Sequence, residues 1–210
     1  MLKQVRTAAL MIVVLTVLTG VVYPLVMTGV AQVLFPDRAD GSLIERDGQV
    51  IGSELIGQSS VDAESGGTVP GYFRGRPSAA GDGYDAALSS GSNLGPTNQA
   101  LIDRVNADVA TIREENGLAP DASIPVDLVT ASASGLDPHI SPASAEVQVA
   151  RVAEQRGLSE DEVRGLVEEH TDGRTLGLFG EARVHVVNLN LALDDLRAMP
   201  EASPEASPAS

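Results

Sequence analysis

The feature that most limits how this chain folds is a long uncharged segment near its start. No Asp, Glu, Lys or Arg occurs from Ala8 to Phe35. A helix of that length rises about 40 Å, whereas the hydrocarbon core of a bilayer is about 30 Å thick. The segment is apolar on all sides, unlike an amphipathic surface helix. The sequence therefore predicts a membrane anchor over residues 1–36, with the transmembrane part at about 8–30.

Several residues of the predicted anchor are suited to packing in a membrane. Gly20, Thr28 and Gly29 are small, which would let another helix approach closely. Tyr23 is suited to the interfacial aromatic belt. Pro24 should kink the segment or mark its outer end, because it lacks a backbone N–H.

The alternative to an anchor is a secretory signal peptide. Lys3 and Arg6 form a positive start, and small residues around Ala31 resemble a cleavage site. The apolar run is, however, longer than the usual 7–15 residues of a signal peptide. The same two positive residues favour a cytoplasmic N-terminus, although Arg38 and Arg46 lie beyond the span. We therefore expect a single-pass cell-membrane protein whose soluble domain is extracytoplasmic.

The composition excludes several classes of function. The formal net charge of −15 argues against a nucleic-acid partner, because a phosphate backbone requires a basic face. The absence of Cys excludes disulfides and thiolate sites. The three histidines, His139, His170 and His185, are far apart in sequence, and Asp82 with Asp85 resembles only half of a calcium loop. No metal site is predicted.

Beyond the anchor, residues 37–197 are predicted to form one mixed α/β (α+β) domain. Apolar periodicity and capping residues predict three helices, which begin near Asn98, at Ser141 and at Ser159. Strands are predicted within 49–58, over 124–130 and over 182–193, the last with a bulge between Val186 and Val187.

The remaining residues are predicted to lie in loops or in a tail. Residues 59–71 and 72–98 are rich in Gly, Ser and Pro, and they are expected to be loops that their glycines hold in place. Residues 198–210, which repeat EASP twice, are expected to form a disordered tail.

The segment from Leu128 to Ala145 contains Ser, His and Asp, which raises the alternative of a membrane-tethered hydrolase. Ser132 or Ser134 would act with His139 in such an enzyme. No G-x-S-x-G motif occurs, and Asp137 is too close to His139 in sequence to form the usual relay. The segment is better interpreted as a loop of fixed shape, because its Ser, Pro and Gly residues favour local turns.

Nucleotide-binding motifs are also absent from the sequence. Neither a P-loop nor G-x-G-x-x-G occurs. If this chain contacts ATP, the available donors would be Ser132, Ser134, Gln148 and backbone amides of the glycine-rich loops.

Seven motifs in order carry a resemblance to a known family. The chain resembles the C subunit of the Kdp-type potassium-transporting ATPase, over residues 10–196. The matching stretches are YPLVMTG (23–29), GSELIGQ (52–58), YFRGRPSA (72–79), SSGSNLGPTN (89–98), VDLVTASASGLDPHISPASA (126–145), QVARVAEQRG (148–157) and EARVHVVNLNLAL (181–193).

The resemblance implies an accessory subunit that is not an enzyme by itself. Its partners would be a potassium-translocating, channel-like subunit, a P-type ATPase subunit and a small membrane subunit, in a complex that hydrolyses ATP to import potassium. The family is regarded as a catalytic chaperone that raises the ATP affinity of the ATPase subunit, with Gln148 the least implausible contact here. No cofactor is expected on this chain itself, and ATP would be reached only through the complex.

The predicted topology conflicts with a direct nucleotide role, because an extracytoplasmic domain cannot reach a cytoplasmic nucleotide. The alternative within the family is a domain over the outer mouth of the potassium pathway. The shared loops would then serve subunit docking or loop geometry. The residues expected in that role are Arg74, Gly75, Arg76, Pro77, Asn93, Gly95, Pro96, Asn98, Asp137, Pro138 and His139. A binding protein without a pump, secreted or tethered, is the remaining alternative.

Overall fold

The computed structural model describes residues 1–61 and 67–198 of the chain. The chain forms two compact units, one over residues 1–54 and one that begins at Leu55. The domain boundary expected after residue 36 stays a prediction. The predicted tail lies outside the described residues, except for Ala198, which ends the last helix.

The first unit consists of a long apolar helix, a short helical turn and a small hairpin. Its elements are α1 (Leu2–Val17), a π-helical turn (Leu18–Val22), α2 (Tyr23–Leu34), α3 (Pro36–Ala39), β1 (Leu43–Arg46) and β2 (Gln49–Ser53). The strands pair antiparallel through a turn at Asp47 and Gly48, both with positive φ. The strand expected within 49–58 is thus confirmed over 49–53.

The apolar helix runs without interruption past Pro24. Among the described residues, Leu2–Leu34 is the one helix long and apolar enough to cross a membrane, with a mean hydropathy of 2.4. Pro24 cannot donate to the carbonyl of Gly20, four residues earlier, and the π-helical turn lies at that point. The helix therefore does not end at Pro24, and the alternative in which Pro24 marks the outer end of the helical segment is wrong.

The second unit is a mixed α+β domain. Its elements are α4 (Gln99–Glu115), β3 (His139–Ile140), α5 (Pro142–Arg156), α6 (Glu160–Glu169), β4 (Thr171–Asp172), β5 (Arg183–His185) and α7 (Val186–Ala198), with short 3₁₀ turns at Ala86–Leu88 and Val126–Leu128. The strands form an antiparallel sheet in the order β3-β5-β4. The expected class of one apolar helix followed by a mixed domain is confirmed.

The predicted helix starts are confirmed by their capping bonds. The Asn98 side chain accepts from the backbone of α4, and the Ser141 side chain accepts from that of α5. Ser159 and Glu162 form a capping box at α6. Helix α5 ends at Gly157, which has the left-handed φ of 69°.

One predicted strand is wrong, and another is confirmed only over its first residues. Residues 126–128 form a 3₁₀ turn, which places the Asp127 carboxylate against the start of α5. Only Arg183–His185 of the strand predicted over 182–193 is extended, and α7 begins at Val186, where the bulge was expected. Val186, Leu189 and Leu193 are spaced three and four residues apart, so the segment satisfies the helical period as well as alternation.

Two clusters of aliphatic side chains form the core of the second unit. The larger contains Phe73, Ile140, Ala145, Val149, Val152, Ala153, Val163, Val167, Val184, Val186, Leu189 and Leu193. The smaller contains Ile112, Leu128 and Val129, with partly buried neighbours from α4. The first joins α5, α6, α7 and the sheet, and Phe73 is its one loop-borne aromatic ring.

Glycine allows the loops of this unit to pack closely. The backbone N–H of Gly57 donates to Leu136 O at 2.9 Å. A Cβ at Gly57 would lie 2.4 Å from the Tyr84 ring and 2.8 Å from Asp137 O. Both distances are too short for a real Cβ, so the ring or the backbone would have to shift.

We predict that Gly57→Ala lowers the free energy of unfolding by about 2 kcal/mol, because overpacking forces backbone shifts. Denaturant titration of the full chain in detergent would measure this loss. Gly95→Ala is the matched control, since a Cβ there meets no atom within 4 Å. Equal stability of the two variants would contradict the prediction.

Candidate functional site

The loop from Gly71 to Arg76 is held by side chains instead of by a neighbouring strand. Asn190 of α7 accepts from Phe73 N at 2.8 Å and donates to Phe73 O at 3.0 Å. Gln148 of α5 accepts from Arg74 N at 2.7 Å and donates to Arg74 O at 3.2 Å. Each amide thus satisfies both backbone groups of one residue, as a partner strand does.

Gln148 has no hydrogen-bonding capacity left for a ligand. Only 1% of its surface is exposed. Besides its two bonds to Arg74, its amide donates to Ser144 O at 3.1 Å and accepts from Arg151 at 2.9 Å. A nucleotide contact at Gln148 would have to replace one of these bonds, and the nucleotide role stays an untested prediction.

Two arginines hold the carbonyls that precede Phe73. Arg156 donates to Gly71 O at 2.7 Å and to the Asp194 carboxylate at 2.8 Å, and it lies 4.5 Å from the centre of the Tyr72 ring. Arg151 donates to Tyr72 O at 3.1 Å. Burial lowers the pKa of the Arg151 guanidinium below its usual value. These bonds tie the carbonyls of Gly71 and Tyr72 to side chains of α5.

The Arg74 side chain belongs to a second polar group. Its guanidinium lies 3.8 Å from the Glu115 carboxylate at the end of α4. The same carboxylate accepts from the backbone N–H and the hydroxyl of Thr68, both at 2.7 Å. Arg74 therefore ties the loop to α4 and is not an exposed cation.

Arg76 joins the loop to the predicted docking segment around Asp137. Its guanidinium donates to the Asp137 carboxylate at 3.0 Å and to Thr130 O at 3.3 Å. The Tyr84 hydroxyl donates to Arg76 O at 2.7 Å. Burial, followed by the Asp137 charge, raises the pKa of Tyr84 to about 12. The structure thus brings together two of the predicted site residues, Arg76 and Asp137.

Gly75 and Pro77 complete the same loop. A Cβ on Gly75 would lie 2.7 Å from the Tyr84 hydroxyl oxygen, so the glycine permits the approach of that ring. Pro77 lines a cavity of about 250 Å³ together with Arg74 and Arg76.

Asp137 and its neighbours form a compact turn. The carboxylate accepts from His139 N at 3.0 Å. Burial alone raises the pKa of Asp137, but hydrogen bonds from His139 and Arg76 outweigh it and hold this pKa below its usual range. Pro138 O accepts from Val186 N at 3.0 Å, and the His139 ring meets the His185 ring edge-on at 5.1 Å. Two histidines that are distant in sequence are therefore neighbours.

Ser132 and Ser134 serve the turn that follows them. The Ser132 hydroxyl accepts from Gly135 N at 2.9 Å, and that of Ser134 accepts from Leu136 N at 3.1 Å. Both hydroxyls thus act as turn acceptors within their own loop. This use supports the interpretation of the segment as a loop of fixed shape.

The stretch from Ser89 to Asn98 is exposed at nearly every residue. Asn93 has a left-handed φ of 51° and donates to Gly91 O at 3.1 Å. Gly95 O accepts from Asn98 N at 3.0 Å across Pro96. This stretch therefore exposes its backbone turns at the surface, and its docking role stays a prediction.

The residues expected to pack in the membrane lie on an open helix surface. A Cβ on Gly20 or Gly29 would meet no atom within 4 Å. Tyr23, Pro24 and Thr28 are exposed on the same helix.

No group of three or more His, Cys, Asp or Glu side chains suited to a metal occurs in residues 1–61 and 67–198.

Sequence reasoning missed the side chains that hold the loop. The predicted site residues do not include Asn190, Arg151 or Arg156, and Asn190 falls within a predicted strand. The available signal is the Asn190 amide among apolar residues at helical spacing. A buried amide needs hydrogen-bond partners, so such a residue indicates a held backbone segment.

Comparison with known proteins gives the family. A family model described as KdpC, K+-transporting ATPase, c chain, matches residues 5–195. The KdpC subunit of the potassium-transporting ATPase of Koribacter versatilis (strain Ellin345) is 55% identical over 200 residues, which cover 95% of this chain and 98% of the relative. That of Mycobacterium tuberculosis (strain ATCC 25618 / H37Rv) is 54% identical over 196 residues, which cover 93% and 100%.

The chain belongs to the KdpC family. The resemblance inferred from the seven motifs is therefore confirmed. As a KdpC-family protein, the chain is a subunit of a potassium-transporting ATPase. The match begins at residue 5, so it includes the apolar helix as well as the mixed domain.

We predict that Gln148→Leu lowers the free energy of unfolding by about 3 kcal/mol, because it leaves the Arg74 backbone groups without partners. Denaturant titration in detergent would measure this loss. Gln155→Leu, at an exposed position of the same helix, is the matched control and should be nearly neutral. A Gln148→Leu variant with wild-type stability and weakened ATP binding by the complex would support the nucleotide role instead.

We predict that alkaline pH removes stability through Tyr84. The neutral phenol is favoured in the folded KdpC-family chain, so its contribution is complete below pH 10 and is lost as the pH rises from about 10 through 12. The stability difference between wild type and Tyr84→Phe should therefore shrink between pH 8 and pH 11. Denaturant titrations at both values would measure it, and a constant difference would contradict the assigned pKa.

Proposed function

We propose that this chain is a single-pass accessory subunit that assembles and stabilises an ATP-driven potassium-import complex from the extracytoplasmic side. Its partners are the P-type ATPase subunit, the potassium-translocating subunit and the small membrane subunit. Potassium is the transported ion of the complex. The observation that carries the proposal is the combination of one apolar helix with a polar loop region of fixed shape.

The charge distribution supports the proposed orientation. Lys3, Arg6 and the terminal amine lie on the short side of the apolar helix, which favours a cytoplasmic N-terminus. With a single span, the mixed domain is then outside. A net charge of −15 keeps such a domain soluble and attracts cations toward its surface.

The loop region supports a docking role over a catalytic one. Arginine and amide side chains hold residues 71–76, and Asp137 and Ser132 hold the turn beside them. A rigid surface loses little conformational entropy on binding, which favours stable subunit contacts. Ser132 and Ser134 serve as turn acceptors, which disfavours the hydrolase alternative.

The proposed orientation also defines how the subunit influences ATP. An extracytoplasmic domain cannot contact a cytoplasmic nucleotide, so a change in ATP affinity would be transmitted through the subunits that cross the membrane. The saturated hydrogen bonding of Gln148 agrees with an indirect effect. Such coupling requires different contacts in two states of the pump.

We predict that the domain is reachable from outside intact cells. The chain has no Cys, so a single Ala87→Cys substitution, at an exposed position, gives a unique label site. A membrane-impermeant maleimide should label it in intact spheroplasts. The matched control, Gln4→Cys, should react only after lysis.

Two results would overturn the proposed function. The reverse labelling pattern would place the domain in the cytoplasm and restore direct contact with ATP. Release of the domain into the medium, with a new N-terminus near residue 32, would identify the secreted alternative. Co-purification of the P-type ATPase subunit with the full-length chain tests the assembly role separately.

A further inference from the structure

An exposed apolar loop extends from the sheet of the second unit. It joins β4 to β5 and comprises Arg174–Glu181, here named the hairpin tip. Leu176 is 85% exposed, Leu178 77% and Phe179 65%. Three large apolar side chains within four residues form a concentrated patch on an otherwise strongly acidic chain.

The hairpin tip is held in one conformation. Thr175 and Phe179 exchange backbone hydrogen bonds of 2.8 and 3.0 Å, and Gly177 N donates to Arg174 O at 3.0 Å. Leu176 has a left-handed φ of 54°, which costs a non-glycine residue about 1 kcal/mol. An ion pair between Arg174 and Glu181 closes the base. The apolar side chains are therefore presented at fixed positions.

The surroundings of the tip favour a protein surface over a lipid surface. Residues 168–183 contain four carboxylates and two guanidiniums, and both arginines are paired with carboxylates, Arg174 with Glu181 and Arg183 with Asp172. Loops and helices that bind anionic membranes expose unpaired Lys or Arg. A fixed shape also gives little advantage in fluid lipid, whereas it suits a complementary pocket.

We infer that the hairpin tip inserts Leu178 and Phe179 into an apolar recess, rimmed by cationic side chains, on another subunit of the complex. The tip carries the apolar anchors, and the excess of carboxylates over guanidiniums in residues 168–183 favours a cationic rim on the partner. Apolar anchors of this kind supply most of the binding energy of an interface. This inference rests on the proposed function, because it needs a partner subunit on the same side of the membrane.

Co-purification from mild detergent tests the anchors. The full-length double variant Leu178→Ser/Phe179→Ser should recover at least tenfold less of the P-type ATPase and channel-like subunits than wild type. The control is Leu43→Ser/Val50→Ser, which removes two exposed apolar side chains from the β1–β2 hairpin and should recover both at wild-type levels. The tip variant should also unfold at the wild-type temperature, because its altered side chains are exposed.

The results separate this inference from the proposed function. If wild type itself recovers no pump subunit, the proposed function fails. If wild type and the tip variant recover the pump equally, the inference fails and the proposed function stands. Loss of recovery in the tip variant alone supports both.

A fluorescent label distinguishes a protein recess from lipid. A single Leu178→Cys variant, coupled to an environment-sensitive maleimide dye, is placed in nanodiscs with and without the other subunits. A blue shift that requires those subunits and resists quenching by brominated phospholipid supports the inference. Quenching by brominated phospholipid, in either preparation, shows that the tip enters the membrane and overturns it.

Discussion

The bonds from Asn190 and Gln148 to the backbone of Phe73 and Arg74 are the interactions on which the second unit depends. Each amide pairs with the N–H and C=O of one residue, so the backbone groups of Phe73 and Arg74 are satisfied although no strand pairs with the loop. Phe73 can then bury its ring in the main core. Without these amides, burying the loop backbone would cost about 1–3 kcal/mol for each unsatisfied group.

The same loop connects the core to the outer loops. Arg76 leaves the held segment and reaches Asp137, whose carboxylate in turn fixes the turn before β3. The Tyr84 hydroxyl donates to Arg76 O. Its ring packs against Gly57 and Gly75, where a Cβ would collide with it. The glycines, the tyrosine and the ion pair therefore constrain one another, which explains how a region poor in regular structure keeps one shape.

The sequence identified most of the local structure because local chemistry determines it. Asn98, Ser141 and Ser159 cap their helices as expected, since the capping bonds lie within four residues. Sequence reasoning failed where contacts between distant residues decide the local structure. Residues 186–193 alternate like a strand, yet they form a helix. The helix buries Leu189 and Leu193 in the core and places Asn190 against the backbone of Phe73. The loop partners, more than 70 residues apart, had no local signature.

The hydrogen bonds inside the second unit limit the ways in which this subunit would act in a complex. Residues 71–76 carry few groups free to rearrange, so the domain is suited to transmit a partner's movement as a body. Backbone hydrogen bonds also hold the hairpin tip, whereas the exposed Ser89–Asn98 stretch has one such bond together with bonds from the Ser89 and Asn93 side chains. Coupling to ATP hydrolysis would then come from the partner subunits changing their contacts with a fixed surface, because a ligand or partner shifts an equilibrium only through its different affinity for two states.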